Sequence, residues 1–211
     1  GNLYPSVLSR RNTTLFRIAV RLSAPVHADR LTRAVEPVMR RFPHYRVQLR
    51  PGAFWYSLEE NPRLPKPVID SLTPCTYMPI KKRGVFPFRI RAYGRTLSVE
   101  FSHALTDATG ALLFLASLLA SYLLTDPGLT EEEKGRLRRE LGADPQILLF
   151  DEGGEYAEVS EHEFRDDFYR YYDPRVPPPD QEKRVFHLSG TKLPLHGYRV
   201  ITGEMPVEEV R

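Results

Sequence analysis

A histidine and an aspartate stand four residues apart where a strand-like stretch gives way to a long apolar segment. The stretch VEFSHALTDATGALLFL, residues 99–115, contains them as His103 and Asp107. An imidazole titrates near neutral pH, so a histidine held at such a junction is suited to taking a proton from a hydroxyl or a thiol. The pattern predicts His103 as a general base at a strand-to-helix corner.

The same spacing occurs a second time, at His162 and Asp166. A short pattern of two residue types arises readily by chance, so the spacing alone carries little weight. His162 and Asp166 fall on a predicted helix, where an exposed polar face is the simpler interpretation. Only His103 follows a well-patterned strand and precedes an apolar helix, and the alternative for it is a core histidine whose hydrogen bonds are satisfied.

The strands that must position His103 are indicated by alternating apolar residues. Residues 15–23 alternate with the period of a half-buried strand. Residues 88–93 and 96–101 are predicted to form a hairpin about a Gly-Arg turn, with apolar residues of matching parity on one face. His103 continues the parity of that face, so its ring is expected to point towards the packed side.

Helices are predicted from apolar spacing and from capping residues. An amphipathic stripe over residues 26–42 predicts the first helix, which Pro37 is expected to kink. A second, buried helix begins near Asp107. Capping boxes that start at Thr130 and Ser160 predict two more helices, the first of them solvent-exposed.

The remaining segments decide the fold class. Residues 45–60 are predicted to form another hairpin, 61–87 a proline-rich loop that allows one short edge element, and 173–180 an extended linker into further strands. Strands, hairpins and helices interspersed in this way predict an α/β (α+β) two-layer sandwich. Its sheet is expected to be mixed and largely antiparallel, with the helices packed against it.

Composition excludes several classes of protein. The chain has 211 residues, 41% of them hydrophobic, and a net charge of +3. This is the profile of one soluble globular domain or two small ones, and the scattered basic clusters make nucleic-acid binding a weak interpretation. The single cysteine, Cys75, excludes an internal disulfide framework and a cysteine-rich zinc site, and we interpret it as structural. A cytoplasmic location fits this composition.

No stretch of the sequence predicts a membrane span. The most apolar one, residues 111–124, is shorter than the roughly 20 residues that cross a bilayer, so a buried helix is expected there. The first residue is Gly1, and the last residues look like a strand followed by the start of a helix. We therefore expect a piece of a longer protein, in which residues 1–180 form an N-terminal subdomain and 181–211 begin the connection to a C-terminal one.

The sequence around His103 resembles a known active-site motif. SHALTDATG, residues 102–110, is similar to the HHxxxDG motif of the chloramphenicol acetyltransferase-like superfamily, which includes condensation domains, plant acyltransferases and alcohol acetyltransferases. Residues 39–60, MRRFPHYRVQLRPGAFWYSLEE, resemble the R-h-P-x-L-R-x-x-F segment of the same proteins. Together with residues 186–211, these stretches look most like the N-terminal half of bacterial proteins resembling alcohol acetyltransferases.

This resemblance implies roles for individual residues. His103 would be the general base that deprotonates an acceptor as it attacks an acyl thioester. Asp107 would fix the loop by pairing with an arginine, for which Arg46 is the candidate, and an ordinary surface arginine is the alternative. Ser102 stands where many members have a first histidine. Its use as a nucleophile is disfavoured because neighbours on a strand point to opposite faces.

One position departs from the motif. Ala108 stands where the family usually has glycine, and alanine resists a left-handed backbone. The loop is therefore expected to differ locally unless Gly110 takes over that conformational freedom. The absence of this glycine and of the first histidine would favour a noncatalytic binding module of the same fold.

The activity that the resemblance implies is CoA-dependent acyl transfer, from acetyl-CoA or another acyl-CoA to a small-molecule alcohol or amine. Acyl-CoA would be a co-substrate, and neither a bound cofactor, a metal nor a covalent enzyme intermediate is expected. The missing C-terminal subdomain would complete the donor site, so these residues alone are expected to be inactive. A condensation-type domain acting on carrier-bound acyl groups is a further alternative.

Overall fold

The computed structural model describes most of the chain up to residue 160. The described residues are 7–10, 13–52, 56–71 and 73–160, with the isolated positions 163, 173, 175, 176, 203 and 206. The chain divides into two compact units, Gly1–Ser160 and Glu161–Arg211. The helix predicted at Ser160, the His162–Asp166 pair, the linker with its following strands, and the boundary after residue 180 lie outside the described residues and stay predictions.

The described residues of the first unit form six strands in two sheets. The strands are β1 (Leu15–Arg21), β2 (Val47–Pro51), β3 (Tyr56–Glu60), β4 (Val68–Ile69), β5 (Phe88–Tyr93) and β6 (Thr96–Ser102). The larger sheet has the spatial order β1-β6-β5-β4, and the smaller one pairs β2 with β3. All pairs are antiparallel except β4 with β5, so the predicted mixed, largely antiparallel sheet is confirmed. The short edge element in the proline-rich loop is β4.

The described part of the chain gives three helices with defined bounds. They are α1 (Ala28–Arg41), α2 (Ala108–Leu124) and α3 (Glu131–Gly142). Helices α1 and α2 pack against each other, and α2 also contacts β1 and β6, which confirms the predicted α/β class. Pro37 lies inside α1. Among the described residues, no helix is both long enough and apolar enough to cross a membrane.

Helix α3 begins with the predicted capping box. The Thr130 hydroxyl accepts a hydrogen bond from the Glu133 backbone N–H at 3.2 Å, and the Glu133 carboxylate accepts one from the Thr130 N–H at 2.7 Å. These bonds satisfy amides that have no partner within the helix. No residue of α3 is buried, so its start depends on this local capping more than on packing.

Aromatic side chains fill the core between the sheet and α2. The rings of Phe88 and Phe101 stack with centroids 4.9 Å apart, and the two residues are directly opposite each other on β5 and β6. Phe114 of α2 meets both rings edge-on, at 5.4 and 5.5 Å. Edge-to-face and offset stacked contacts are the favoured arrangements of aromatic rings. They fix α2 against the end of β6 that leads to His103.

The other face of the larger sheet carries a buried network of charges. Its members are Arg17, Asp70, Arg89, Arg91 and Glu100. Glu100 is fully buried, and its carboxylate accepts hydrogen bonds from Arg17 and Arg89 and from the Cys75 N–H. Alternation predicted one apolar face for β6, whereas β6 is buried on both faces because the segment around Cys75 covers the polar one.

Candidate active site

His103 lies one residue beyond the end of β6. Its backbone N–H donates a hydrogen bond to the Thr14 carbonyl at 3.1 Å. Its ring lies against the ring of Phe16, with centroids 4.5 Å apart, and its side chain is exposed to solvent. The imidazole is therefore supported by β1 and accessible from outside.

The ring of His103 lies on the side of the sheet that the parity of β6 predicts, because it contacts Phe16, which is paired with Phe101 and stacks on it. The strand ends at Ser102, where the chain turns and the Leu105 N–H donates to the Ser102 carbonyl at 2.9 Å. Because the strand has ended before His103, its side chain is exposed to solvent and is not a core histidine.

Ser102 holds this turn from the buried side. Its hydroxyl accepts a hydrogen bond from the Ala104 N–H at 3.3 Å, and its own N–H donates to the Pro87 carbonyl at 2.9 Å. Ser102 is fully buried, whereas His103 is exposed. The two neighbouring side chains thus occupy different environments, which suits a turn-forming serine and not a nucleophile beside its base.

Asp107 begins helix α2 as its N-cap. Its backbone is extended, and its carboxylate accepts a hydrogen bond from the Gly110 N–H at 2.9 Å. A carboxylate at this position satisfies a free amide and is stabilised by the helix dipole. Asp107 thereby determines where the loop after His103 ends and the helix starts.

Arg46 does not pair with Asp107. Its guanidinium donates hydrogen bonds to the carbonyls of Asn61 and Pro62, at 3.2 and 2.9 Å. The Asn61 N–H in turn donates to the Arg46 carbonyl at 2.9 Å. Arg46 therefore fastens the base of the β2–β3 hairpin to the segment that follows it, and the expected ion pair is absent from the described structure.

The segment around Arg46 and the loop before α2 are joined instead by Tyr45 and Thr106, the residues that precede Arg46 and Asp107. The hydroxyls of Tyr45 and Thr106 are 2.8 Å apart and hydrogen-bonded. Burial is the main cause that raises the pKa of the Tyr45 phenol, and the charge of Asp107 acts in the same direction, while the Thr106 bond opposes them. The sequence analysis missed this pair because no local pattern connects residues 61 positions apart.

Gly110 provides space and not backbone freedom. A Cβ atom at Gly110 would lie 2.3 Å from the Thr106 Oγ1 and 2.6 Å from the Tyr45 hydroxyl oxygen. Ala108 is the first residue of α2 and has no left-handed backbone. The expected local distortion at Ala108 therefore does not arise, since its position requires only helical geometry.

Thr14 has a strained backbone directly beside His103. Its φ of 50° lies in the left-handed region, which a β-branched residue rarely adopts. Its hydroxyl oxygen is buried and has no hydrogen-bond partner among the described residues. Such strain is concentrated at functional sites, where the surrounding structure holds it in place. Nothing in the sequence around Thr14 signals this conformation.

Cys75 lies in the loop that covers the polar face of the sheet. Burial raises the pKa of its thiol, and the nearby Glu100 carboxylate adds to the effect. A raised pKa disfavours the thiolate, which is the reactive form. Among the described residues, no group of three or more histidine, cysteine, aspartate or glutamate side chains could hold a metal ion.

Comparison with known proteins finds similarity in structure only. No protein-family profile and no curated protein matches this sequence. The complex of the X-domain and OxyB from teicoplanin biosynthesis aligns over 68% of this chain and 37% of that chain, with 15% identity and a TM-score of 0.45. SgcC5 from Streptomyces globisporus aligns over 65% of this chain and 38% of that chain, with 17% identity and a TM-score of 0.45.

A structure that concerns condensation domain-mediated chain release from the enacyloxin polyketide synthase also aligns with this chain. The alignment covers 69% of this chain and 35% of that chain, with 16% identity and a TM-score of 0.41. The chain spans well under half the length of each of these solved chains, and the similarity is one of fold.

Proposed function

We propose that this chain supplies the catalytic base of an acyltransferase, which transfers an acyl group from a CoA thioester to the hydroxyl of a small-molecule alcohol. The observation that carries the proposal is the setting of His103, an exposed imidazole held at the end of a buried strand. A general base must come within hydrogen-bond reach of the proton that it removes. An accessible ring on a rigid support meets that requirement.

The support of His103 is continuous with the core. Its ring lies against Phe16, and Phe16 stacks on Phe101 at a centroid distance of 6.2 Å. The backbone of His103 is held separately by the Thr14 carbonyl. Two independent anchors reduce the motion of the imidazole, so less orientational entropy remains to be lost in the transition state.

In the proposed reaction, His103 accepts the proton of the acceptor hydroxyl while the hydroxyl oxygen attacks the thioester carbonyl carbon. The resulting tetrahedral intermediate carries its negative charge on the former carbonyl oxygen. When the intermediate collapses, the carbon–sulfur bond breaks and the imidazolium returns its proton to the departing thiolate. The products are an ester and free CoA, and the base is regenerated without a covalent enzyme intermediate.

The test is release of free thiol from acetyl-CoA and several longer acyl-CoAs by the full-length protein, over a panel of alcohols and amines. We expect acceptor-dependent release that falls by about 10²- to 10⁴-fold in His103→Ala, the usual contribution of a general base. His27→Ala is the matched control, because His27 is also exposed but lies at the start of α1. Circular dichroism and urea unfolding establish that each variant is folded.

Two results would contradict the proposal. A folded His103→Ala variant that keeps the wild-type rate would remove His103 from the reaction. A folded wild-type protein that releases no thiol with any acyl-CoA would exclude a CoA donor. In the second case, the same assay with a carrier-bound acyl thioester asks whether the reaction is of the condensation type.

A further inference from the structure

We propose a second site, separate from His103, that binds the phosphate group of a small phosphorylated molecule. It is a cavity of about 400 Å³ between the β2–β3 hairpin and the turn at residues 81–83. Its lining includes the cations Arg50, Lys81 and Arg83 and one carboxylate, Glu59. We call it the hairpin pocket. Its volume falls within the range of small-molecule sites in proteins.

A buried glutamine fixes the two sides of the hairpin pocket relative to each other. The Gln48 side chain is 6% exposed, and its amide nitrogen donates to the Glu59 carboxylate at 3.2 Å. Its amide oxygen accepts a hydrogen bond from the Gly84 N–H at 2.6 Å. One residue thereby ties the turn that carries Lys81 and Arg83 to the hairpin that carries Arg50, so the backbone under all three cations is held in place.

The charges of the hairpin pocket are not balanced by its own residues. Arg50 pairs with Glu59 at 3.0 Å. The Lys81 ammonium lies 5.1 Å from the centre of the Tyr56 ring, a cation–π contact that orients the charge without neutralising it. Arg83 forms no ion pair with any residue that the structure describes.

Two positive charges therefore remain uncompensated within the hairpin pocket. A phosphate monoester carries a charge of about −1.5 to −2 at neutral pH and three strong acceptor oxygens. Arginine recognises phosphate through paired hydrogen bonds, and lysine does so as a point charge. Leu49 and Pro51 add an apolar wall to the same cavity, which would contact the organic part of the ligand.

The sequence of the turn provides an internal control for this proposal. Lys82 stands between Lys81 and Arg83 and is exposed, as Arg83 is, but it does not line the hairpin pocket. A merely solvated basic turn would attract anions through its total charge, so all three residues would contribute alike. Phosphate binding inside the hairpin pocket would depend on the lining residues Lys81 and Arg83 far more than on Lys82.

The experiment measures binding of inorganic pyrophosphate and inorganic phosphate to the chain by calorimetry, at low and at physiological ionic strength. We expect Lys81→Gln and Arg83→Gln each to weaken pyrophosphate binding by about tenfold, as for loss of one charge-assisted hydrogen bond. Lys82→Gln should weaken it by less than about threefold, and that smaller effect should vanish as salt screens a charge that does not contact the ligand. Urea unfolding checks that the variants keep the stability of the wild type.

Equal weakening by all three substitutions, or no pyrophosphate binding by the wild type at low ionic strength, would overturn the proposal. The measurement needs no acyl donor and no acceptor. Loss of His103 leaves the hairpin pocket intact, so His103→Ala should bind pyrophosphate like the wild type. Failure of the acyltransferase proposal and failure of the phosphate site are therefore distinguishable.

Discussion

Replacing Gly110 with alanine would insert one methyl group between the hydroxyls of Tyr45 and Thr106. The added Cβ atom would lie 2.3 Å from the Thr106 oxygen and 2.6 Å from the Tyr45 oxygen, and real Cβ contacts essentially never fall below 3.0 Å. The two hydroxyls, now 2.8 Å apart, must separate to admit it. The substitution therefore breaks the hydrogen bond that joins the α1–β2 connection to the start of α2.

The expected loss of stability follows from three effects. Forcing an extra methyl into a packed site costs about 1–3 kcal/mol. Leaving the buried Tyr45 hydroxyl without its partner costs about 1–3 kcal/mol more. Alanine is a better helix former than glycine and recovers at most about 1 kcal/mol. We therefore expect Gly110→Ala to lower the free energy of unfolding by about 3 kcal/mol.

The assay is urea unfolding, in which the midpoint should fall while the dependence on denaturant stays unchanged. The matched background is the double variant Tyr45→Phe, Thr106→Ala, which lacks both hydroxyls. In that background the methyl group has room, so Gly110→Ala should be neutral or stabilising by up to about 1 kcal/mol. The difference between the two backgrounds is the coupling of Gly110 to the hydroxyl pair.

A wild-type-like stability of Gly110→Ala would refute this reasoning, because it would mean that the Tyr45–Thr106 contact adapts without cost. An equal loss of unfolding free energy in the wild type and in the double variant would also refute it. Gly110 would then be needed for a reason other than the space between these two hydroxyls.

Two further predictions concern the buried charges and helix α3. The hydrogen bond from Arg17 holds the pKa of the Asp70 carboxyl below its ordinary 3.8. Asp70 therefore stabilises the fold above pH 3.8, and this contribution is lost as the pH falls below 3.8. The urea midpoint of the wild type should accordingly fall more steeply below pH 3.8 than that of Asp70→Asn, and parallel curves would contradict this role. Thr130→Ala removes the hydroxyl of the capping box and should destabilise α3 by about 1 kcal/mol. The measurement is amide hydrogen exchange, which should become faster in the first turn of α3. Glu133→Gln should have a smaller effect on this exchange. Unchanged exchange in Thr130→Ala would show that the cap does not limit opening of the helix.

Local patterns in the sequence determined the elements around His103. Alternating apolar residues predicted β1, β5 and β6 together with the pairing of the last two, and the structure has these strands within a few residues of the predicted bounds. Capping residues predicted the starts of α2 and α3 at Asp107 and Thr130. Such signals are readable because periodicity and capping involve residues within one or two turns of each other.

Which residues meet across the fold was decided only by the tertiary structure. Arg46 was expected on Asp107, yet it binds main-chain carbonyls of the following segment, and Tyr45 makes the contact with Thr106 instead. Tyr45 is the last residue of the 3₁₀ turn Pro43–Tyr45, and its side chain, not that of Arg46, reaches Thr106. No local pattern carries that information.

Whether each face of the sheet is buried or exposed was likewise decided by the tertiary structure. Alternation in β6 distinguishes its two faces, but it does not reveal that a loop of the chain covers the polar one and buries Glu100. The exposure of His103 depends on the turn at Ser102, and the strain at Thr14 depends on how β1 is held against that turn. The sequence by itself thus determined which elements exist near the site, because those signals are local. Only the folded chain decided their partners, because those contacts depend on the path of distant segments.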